Sequence, residues 1–365
     1  MAKSIYLDYA SSAKASEANP SAIHDLGVRE KNKLANARKI VADILGANSG
    51  EIIFTSGATE SNNMAILGSP KGHIVTTNIE HASVLETCKH RGLVTIVAVE
   101  SNGIVDAKKI KKALRPDTIL VSVMYANNEI GTIQPIAEIA KEIRHHNKTN
   151  NKKIFFHSDA VQAVNYLPVN VAKLGVDLMS FNAAKIYGPK GVGALYVKKN
   201  TPLGKIMWGG EQEHGLRPGT ENVKGVLEFA RVLAETEKIK DKEVKRLTVL
   251  RDYFIHSLIR TNSRIVVNGD LEKRLPNNVN ITIPNAPSDL LVIELSARGI
   301  MASAKSACKA GDGKVSHVIK AINKNIKDTD GSLRFSLGRH TSKKDIDYTL
   351  KALTKILNKL KRWYN

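Results

Sequence analysis

The sequence is poor in cysteine and in long apolar runs, and both shortages limit what the protein can be. Only Cys88 and Cys308 occur in 365 residues, too few for a disulfide framework. No apolar run approaches the roughly 20 residues that cross a bilayer. The first residues, from Met1 onward, lack the apolar segment of a secretory signal. We therefore expect a protein of the reducing cytoplasm without a membrane span.

Acidic residues are also scarce relative to basic ones. The chain has 35 Asp and Glu against 55 Lys and Arg, a net charge of +20. Such a balance can indicate nucleic-acid binding. Here the lysines are scattered among Asp and Glu, as at residues 108–112 and 241–246, on what we predict to be solvated helix faces. The charge therefore indicates a compositional bias, and direct nucleic-acid binding is not expected.

Apolar residues make up 42% of the chain, enough for a large core, and their spacing predicts an α/β fold. Between residues 51 and 197, strand-like runs alternate with helix-like ones, which predicts a mainly parallel, doubly wound sheet. After residue 264 the mixture of strands and helices predicts a smaller α+β domain. We expect a large domain at 15–260 and a small domain made of 1–14 and 261–365.

The individual elements follow from the same periodicities. Predicted strands lie at residues 51–54, 73–76, 118–124, 153–157, 176–181, 191–198, 264–268, 278–283, 300–304 and 333–337. Predicted helices lie at residues 60–67, 82–90, 136–146, 223–259, 288–298 and 341–363. Ser342 and Asp345 have the spacing of a capping box for the last helix.

Two residues at the ends of predicted strands carry the strongest chemical signal. Asp159 follows the run 153–157, and Lys185 follows the run 176–181. In an open α/β sheet both would stand at the carboxyl edge, where such folds bind ligands. Pyridoxal phosphate needs a lysine for a Schiff base and an acid that keeps its pyridine nitrogen protonated. The glycine-rich turn at 188–193 lets backbone approach a ligand. The positions of Asp159 and Lys185, together with this turn, favour a pyridoxal phosphate site over an unrelated pair of surface residues.

A second signal is the turn of Thr, Ser, Gly, Ala and Thr at residues 55–59, between a predicted strand and a predicted helix. At such a place backbone N–H groups and the positive end of the helix dipole converge on an anion. Gly57 permits close approach, and the Thr59 hydroxyl can donate. Ser and Thr at a helix start are also common as simple caps, so this turn alone leaves both interpretations open.

Together these motifs resemble those of cysteine desulfurases of the NifS and IscS type, which are class V aminotransferases. The segment Lys-Ile-Tyr-Gly-Pro-Lys-Gly-Val-Gly-Ala-Leu-Tyr-Val (185–197) closely resembles the cofactor-lysine segment of that family. Further segments recur in the family's order, at residues 6–10, 54–63, 127–131, 215–222, 306–308 and 333–339. The resemblance covers nearly the whole chain. It implies the aspartate-aminotransferase fold (fold type I), pyridoxal 5'-phosphate as cofactor and a homodimer.

The resemblance also implies how the cofactor is held. Lys185 carries it, Asp159 pairs with its ring nitrogen and Gln162 hydrogen-bonds its ring hydroxyl. His81 stacks on the ring and handles protons, although a lone histidine there would be read as a helix-terminus residue. Thr220 reaches the phosphate from the partner subunit. The complete set implied as cofactor-binding is Lys185, Asp159, Gln162, His81, Ala58, Thr59, Asn128, Asn182 and Thr220.

The same resemblance implies the substrate and the reaction. Cys308 matches the thiol that takes sulfur from L-cysteine as a persulfide and leaves L-alanine, and nearby Lys305 would favour its thiolate. The catalytic residues implied are Cys308, Lys185 and His81. The residues implied to hold the substrate are Arg334, Asn128 and Asn19. The loop at 308–316 is expected to carry the sulfur toward an acceptor protein, either an iron–sulfur scaffold or a tRNA-thiolation enzyme. Cys88 is expected in the core.

Some positions depart from the family pattern. Ala184 stands where the family has histidine and Lys305 where glycine is usual, and a helix expected between Ala10 and Asn19 is missing or replaced by a short loop. The chain also stops soon after its last predicted helix, so docking through a C-terminal extension is not expected. Three alternative functions are consistent with the sequence: a selenocysteine lyase, a related β-eliminating enzyme and a catalytically weak scaffold subunit.

Overall fold

The computed structural model describes residues 5–13, 15–304, 315–327 and 330–364. Its helices are α1 (Asp25–Leu45), α2 (Ala58–Leu67), α3 (Ala82–Arg91), α4 (Ala107–Ala113), α5 (Ile136–Asn150), α6 (Val171–Leu174), α7 (Val223–Thr261), α8 (Ser288–Ser296), α9 (His317–Ile322) and α10 (Lys343–Tyr364). Its strands are β1 (Ile52–Thr55), β2 (His73–Thr77), β3 (Val94–Val97), β4 (Thr118–Ser122), β5 (Phe155–Asp159), β6 (Leu178–Asn182), β7 (Gly193–Val197), β8 (Val266–Val267), β9 (Asn278–Ile283) and β10 (Gly331–Ser336).

The larger sheet has seven strands in the order β1-β7-β6-β5-β4-β2-β3. Strands β2 to β6 are parallel to one another, whereas β7 runs antiparallel to β1 and β6. Successive residues of β1 and β5 pack in two different apolar clusters. Ile53 and Phe155 lie in one cluster, and Phe54 and Phe156 lie in the other. Because successive strand side chains point to opposite faces, both faces are covered. This confirms the mainly parallel, doubly wound fold.

The smaller sheet is antiparallel, in the order β10-β9-β8, and has an apolar cluster of its own with α8 and α10. Helix α7, 39 residues long, reaches both cores, because Phe229 packs in the larger cluster and Phe254 in the smaller one. Val318 and Ile319 of the short helix α9 pack in the larger cluster. The chain therefore returns to the large sheet late in its sequence.

The predicted strand at residues 300–304 is wrong. Only Ser303 pairs with β10, through an isolated bridge to Arg334 in which each backbone N–H donates to the other residue's carbonyl, at 3.1 and 2.7 Å. The apolar alternation there is real, because Ile300 and Ala302 pack on the smaller core while Met301 is exposed. One pair of hydrogen bonds does not make a strand.

Two local expectations near the chain ends are confirmed. Between Ala10 and Asn19 the described residues form only the short 3₁₀ turn Ala15–Glu17, so the longer family helix is absent there. Before α10, the Asp345 carboxylate accepts from the Ser342 backbone N–H at 2.8 Å, and the Ser342 hydroxyl accepts from the Asp345 backbone N–H at 3.4 Å, as a capping box requires.

Helix α1 was not predicted from the sequence. Its buried residues include Leu34, Ala37, Val41 and Leu45, at the three- and four-residue spacing of one helix face. Every helix in the described part of the chain is too short or too polar to span a bilayer.

Candidate active site

Asp159 and Lys185 lie at the same edge of the larger sheet. Asp159 is the last residue of β5, and Lys185 ends the 3₁₀ turn Ala183–Lys185 that follows β6. Strands β5 and β6 are parallel neighbours, with Asp159 opposite Ser180. Both residues line one cavity of about 500 Å³. The predicted placement at the carboxyl edge is confirmed.

The Asp159 carboxylate is buried and is held by neutral donors. Asn62 Nδ2 donates to Oδ2 at 2.8 Å, and the Val161 backbone N–H donates to Oδ1 at 3.0 Å. Burial raises the pKa of Asp159, against the effect of these hydrogen bonds and of nearby His81. No lysine or arginine of the described chain forms an ion pair with it. A buried carboxyl group of this kind fits a protonated pyridine nitrogen, which would bring the missing positive charge.

The turn before α2 borders the same cavity. Gly57 caps α2 with a φ of 151°, and Ala58 and Thr59 line the cavity. A Cβ at Gly193 would lie 2.7 Å from the Gly57 Cα, so only glycine lets β7 approach this turn. Asn182 is also close and accepts from the Ala184 N–H at 3.0 Å. Its Nδ2 has no partner among the described residues and is free to donate to an anion.

His81 faces the cavity from the start of α3. Its Nδ1 accepts from the Ser83 backbone N–H at 3.2 Å and lies 2.8 Å from the Ser83 hydroxyl. Because Nδ1 acts as an acceptor, the proton of the neutral ring is assigned to Nε2. This ring can therefore offer a proton on the nitrogen that is not used in capping.

Glu80, beside His81, is a buried acid that sequence reasoning missed. Its carboxyl group accepts from the Thr77 hydroxyl at 2.6 Å and from the Met124 backbone N–H at 3.0 and 3.1 Å. Burial raises the pKa of Glu80 to about 8, and the negative charge of Asp159 adds to this. The signal that could have found it is an acid three residues after the end of the buried strand β2.

Arg334 presents a guanidinium group to the cavity from β10. Its Nη1 donates to the Asn128 carbonyl at 3.2 Å, while its buried Nε has no hydrogen-bond partner. Burial lowers the pKa of Arg334, and nearby Glu129 opposes this. An unpartnered buried N–H is costly unless a ligand satisfies it. A carboxylate matches the guanidinium fork in charge and shape.

Most of the predicted site residues come together in this cavity. Those that line it are Ala58, Thr59, His81, Asn128, Asp159, Gln162, Asn182, Lys185 and Arg334, together with the departure Ala184. Asn19 and Thr220 do not line it: Asn19 accepts from the Ser21 N–H at 2.9 Å, and Thr220 is exposed.

The structure describes Cys88 but not Cys308. Cys88 is fully buried, and burial raises its pKa to about 12, which confirms its place in the core. Cys308 and Lys305 lie outside the described residues, as does the loop at 308–316 up to residue 314.

Sequence reasoning also missed several cavity-lining or supporting residues. Tyr166, Tyr187, Ser83 and Asn165 line the cavity. Asn62 donates a hydrogen bond to the Asp159 carboxylate. Two signals were available. Asn62 falls one helical turn after Thr59, and Tyr187 lies two residues after Lys185.

Comparison with known proteins gives one consistent result. Residues 5–349 match the family Aminotransferase class-V. A cysteine desulfurase IscS of Dictyoglomus turgidum is 44% identical over 385 aligned residues, covering 99% of this chain and 96% of that protein. Its counterpart in Methanosarcina thermophila is 42% identical, covering 94% and 86%.

Solved structures agree with the sequence relatives. A NifS-like protein superposes with a TM-score of 0.86 at 35% identity, covering 94% of this chain and 92% of that one. A structure described as SspA in complex with cysteine superposes with a TM-score of 0.74 at 33% identity, covering 90% and 92%.

Proposed function

The chain belongs to the class V aminotransferases and is a pyridoxal-phosphate-dependent cysteine desulfurase, and from this premise we propose which of its residues carry the reaction. One observation supports the assignment most directly. Lys185, the buried Asp159 and the unpartnered Nε of Arg334 face one cavity. An amine, an acid and a carboxylate-binding fork are the groups that this chemistry requires.

We propose that the cofactor is held by residues around the cavity. Asp159 would bind the ring nitrogen, and Gln162 and Asn128 would bind the ring hydroxyl side. Ala58, Thr59 and Asn182 would hold the phosphate, supported by the start of α2 and by the unused Nδ2 of Asn182. When bound, pyridoxal phosphate supplies an electron sink for bond cleavage at the substrate carbons.

The substrate residues follow from Arg334. Its guanidinium, with Asn128, would bind the α-carboxylate of L-cysteine. Asn19, which does not line the cavity in this structure, would join them when the substrate is bound. The Lys185 amine would take the α-proton, and His81 Nε2 would donate or accept a proton on the opposite side of the cavity. The substrate, held by its carboxylate, would then keep a fixed orientation while the Lys185 amine and His81 Nε2 transfer protons.

Cys308 would act as the sulfur acceptor within the protein. Its thiolate attacks the substrate sulfur, so that an S–S bond forms while the substrate Cβ–S bond breaks. The electron pair of the broken bond stays with the substrate carbon skeleton, which takes up protons and leaves as L-alanine. The persulfide on Cys308 is then passed to an acceptor protein for iron–sulfur cluster assembly or tRNA thiolation.

We propose that two copies of the chain form a homodimer. Thr220 is exposed and outside its own cavity, and the same loop exposes Met207 and Trp208, the latter by 81%. Large apolar side chains exposed together indicate an interaction surface. A second copy seated there would cover them and would let Thr220 reach the phosphate in the partner's cavity.

We also propose how the chain divides into domains and where the protein is located. The first is the division into a large domain at 15–260 and a small domain at 1–14 plus 261–365, which the two sheets and their separate apolar clusters support. The second is a cytoplasmic location, supported by the low cysteine content of the sequence, two in 365 residues.

A direct test combines the cofactor spectrum with product analysis. The purified protein should show the absorbance of bound cofactor and release alanine and sulfide from L-cysteine under reducing conditions. Cys308→Ala should lose sulfide release and keep the absorbance, whereas Lys185→Ala should lose the native absorbance. Cys88→Ala, a change in the core, is the matched control and should keep activity. Full sulfide release by the Cys308 variant would refute the assigned thiol.

A further inference from the structure

Tyr187, two residues after Lys185, has an unusual backbone conformation. Its φ is +66°, in the left-handed region that bulky side chains rarely adopt. The conformation costs about 1–2 kcal/mol for a residue with a Cβ. Tyr187 also lines the active-site cavity. A conformation of this kind persists only where surrounding contacts hold it.

The contacts that hold Tyr187 come from the segment after β10. The Arg339 backbone N–H donates to the Tyr187 hydroxyl at 2.9 Å, and the Arg339 guanidinium carbon lies 4.1 Å from the centre of the Tyr187 ring. A Cβ at Gly338 would be only 3.0 Å from that hydroxyl, so glycine leaves room for it. The ring is thus held by a hydrogen bond and by a cation over its face.

Further hydrogen bonds hold the backbone on both sides of the contact between Tyr187 and Arg339. Arg339 Nη2 donates to the Thr236 hydroxyl of α7 at 2.8 Å. The Arg246 guanidinium, also from α7, donates to the carbonyls of Gly338 and Arg339 at 2.9 and 3.2 Å. On the other side, Asn165 Nδ2 donates to the Lys185 carbonyl at 2.9 Å. The contact therefore joins two turns that are each supported independently.

These two turns carry the two groups that must meet the substrate. One turn holds Lys185, and the other directly follows the strand that holds Arg334. Within the described structure, the bond from the Arg339 N–H to Tyr187 is the one hydrogen bond between residues 183–190 and 331–341. The Tyr187 hydroxyl thus connects the proton acceptor with the carboxylate clamp.

We propose that Tyr187 is a positioning residue that sets the separation between the Lys185 amine and the Arg334 guanidinium. The inference rests on the proposed roles of these two groups. Arg334 fixes the carboxylate, so the position of Lys185 decides how closely its amine approaches the substrate α-carbon. Proton transfer depends steeply on that approach, and a shift of about 1 Å can lower a rate on the order of 100-fold.

The test uses Tyr187→Phe in the holoenzyme, because this change removes only the hydroxyl and keeps the ring beneath Arg339. We expect kcat for alanine formation to fall about 5- to 20-fold, as is typical when one positioning hydrogen bond is lost. KM should change by less than about threefold, since Arg334 still binds the carboxylate. The cofactor absorbance should stay at the parent value, and the thermal midpoint should fall by no more than about 4 °C, the loss expected from one hydrogen bond.

A matched control and an isotope measurement separate positioning from a general structural role. Tyr348→Phe also removes a hydroxyl that hydrogen-bonds to the backbone, here to the Arg298 carbonyl at 3.0 Å, and should leave kcat unchanged. With α-deuterated L-cysteine, Tyr187→Phe should show an isotope effect on kcat at least as large as the parent's, because the slowed step is proton transfer.

Two results would overturn the proposal: an unchanged kcat in Tyr187→Phe, or a reduced kcat whose isotope effect has fallen toward one. A parent enzyme that forms no alanine would instead refute the proposed function itself. The two failures are therefore distinguishable.

Discussion

The Ser316 hydroxyl donates a 2.5 Å hydrogen bond to the buried carboxylate of Glu129, a residue 187 positions earlier in the chain. The Glu129 carbonyl in turn accepts from Asn278 and Asn280 of β9, at 3.0 and 2.9 Å. Glu129 also directly follows Asn128, whose carbonyl accepts from Arg334. Residues 128 and 129 thus link the start of α9 to strands β9 and β10 of the smaller sheet, beside the active-site cavity.

Ser316→Ala should destabilise the fold by about 1–3 kcal/mol, because it leaves the Glu129 carboxylate short of a buried donor. The change also removes the Ser316 side-chain cap on the Val318 N–H. Glu129→Gln keeps an acceptor oxygen and should cost less. Urea unfolding of the two variants measures this. Ser342→Ala, an exposed cap at α10, is a control for capping alone, and an equal loss there would remove Glu129 from the explanation.

Glu80 should give the fold a distinct pH dependence. Its pKa in the folded chain is about 8, above the ordinary value of 4.5. The folded state therefore holds a proton that the unfolded chain releases. The stability contributed by this group is complete below about pH 4.5, declines as pH rises, and is lost above about pH 8.

The neutral variant Glu80→Gln has no such proton to lose. Between pH 5 and pH 8, its free energy of unfolding should rise relative to the parent's by roughly 2 kcal/mol or more. Denaturant unfolding of both proteins at each pH measures the difference. If the two stability curves ran parallel, Glu80 would have to be ionised in the folded chain at pH 5.

Arg38, which is partly buried, and the buried Glu213 form an ion pair that holds the loop before α7. Arg38 donates to both Glu213 oxygens at 2.6 Å, and the Phe54 backbone N–H donates to the same carboxylate at 2.9 Å. Arg38→Met leaves that carboxylate buried without a counter-ion and should destabilise the fold by about 3–5 kcal/mol.

An exposed ion pair of the same chemistry is the control for Arg38. Glu235→Gln removes one partner of Arg231 on the surface of α7 and should change the free energy of unfolding by less than about 1 kcal/mol. Guanidinium unfolding of both variants provides the comparison. Equal effects would show that burial does not strengthen the Arg38 pair.

Trp208 offers a reporter for the proposed dimer. Its side chain is 81% exposed in the single chain, and the sequence contains one other tryptophan, Trp363. In a Trp363→Phe background, Trp208 emission should shift to shorter wavelength as protein concentration rises through the dimer dissociation constant. Trp208→Ala should weaken the dimer about 10-fold or more in sedimentation measurements, as loss of a buried aromatic anchor does. A concentration-independent spectrum together with an unchanged dimer would show that this loop is not at the interface.

Local sequence patterns predicted elements well where the segment is buried. Strand β9 has the predicted bounds, Asn278–Ile283, because all of its side chains are buried. Strand β3 was missed, since Val94 and Thr95 are only half-buried at the sheet edge and give a weak signal. Helix α9 was missed as well, because six residues are too few to show a helical period.

The sequence by itself determined that Asp159 and Lys185 would share one edge of a sheet. Each ends a buried run, and the carboxyl ends of parallel strands coincide whichever order the strands take. Only the tertiary structure decided that Arg339 would hold Tyr187, that Ser316 would reach Glu129 and that Arg38 would pair with Glu213. These partners lie 152, 187 and 175 residues apart. No local periodicity specifies such pairs, because each depends on where two distant segments pack once the whole core has formed.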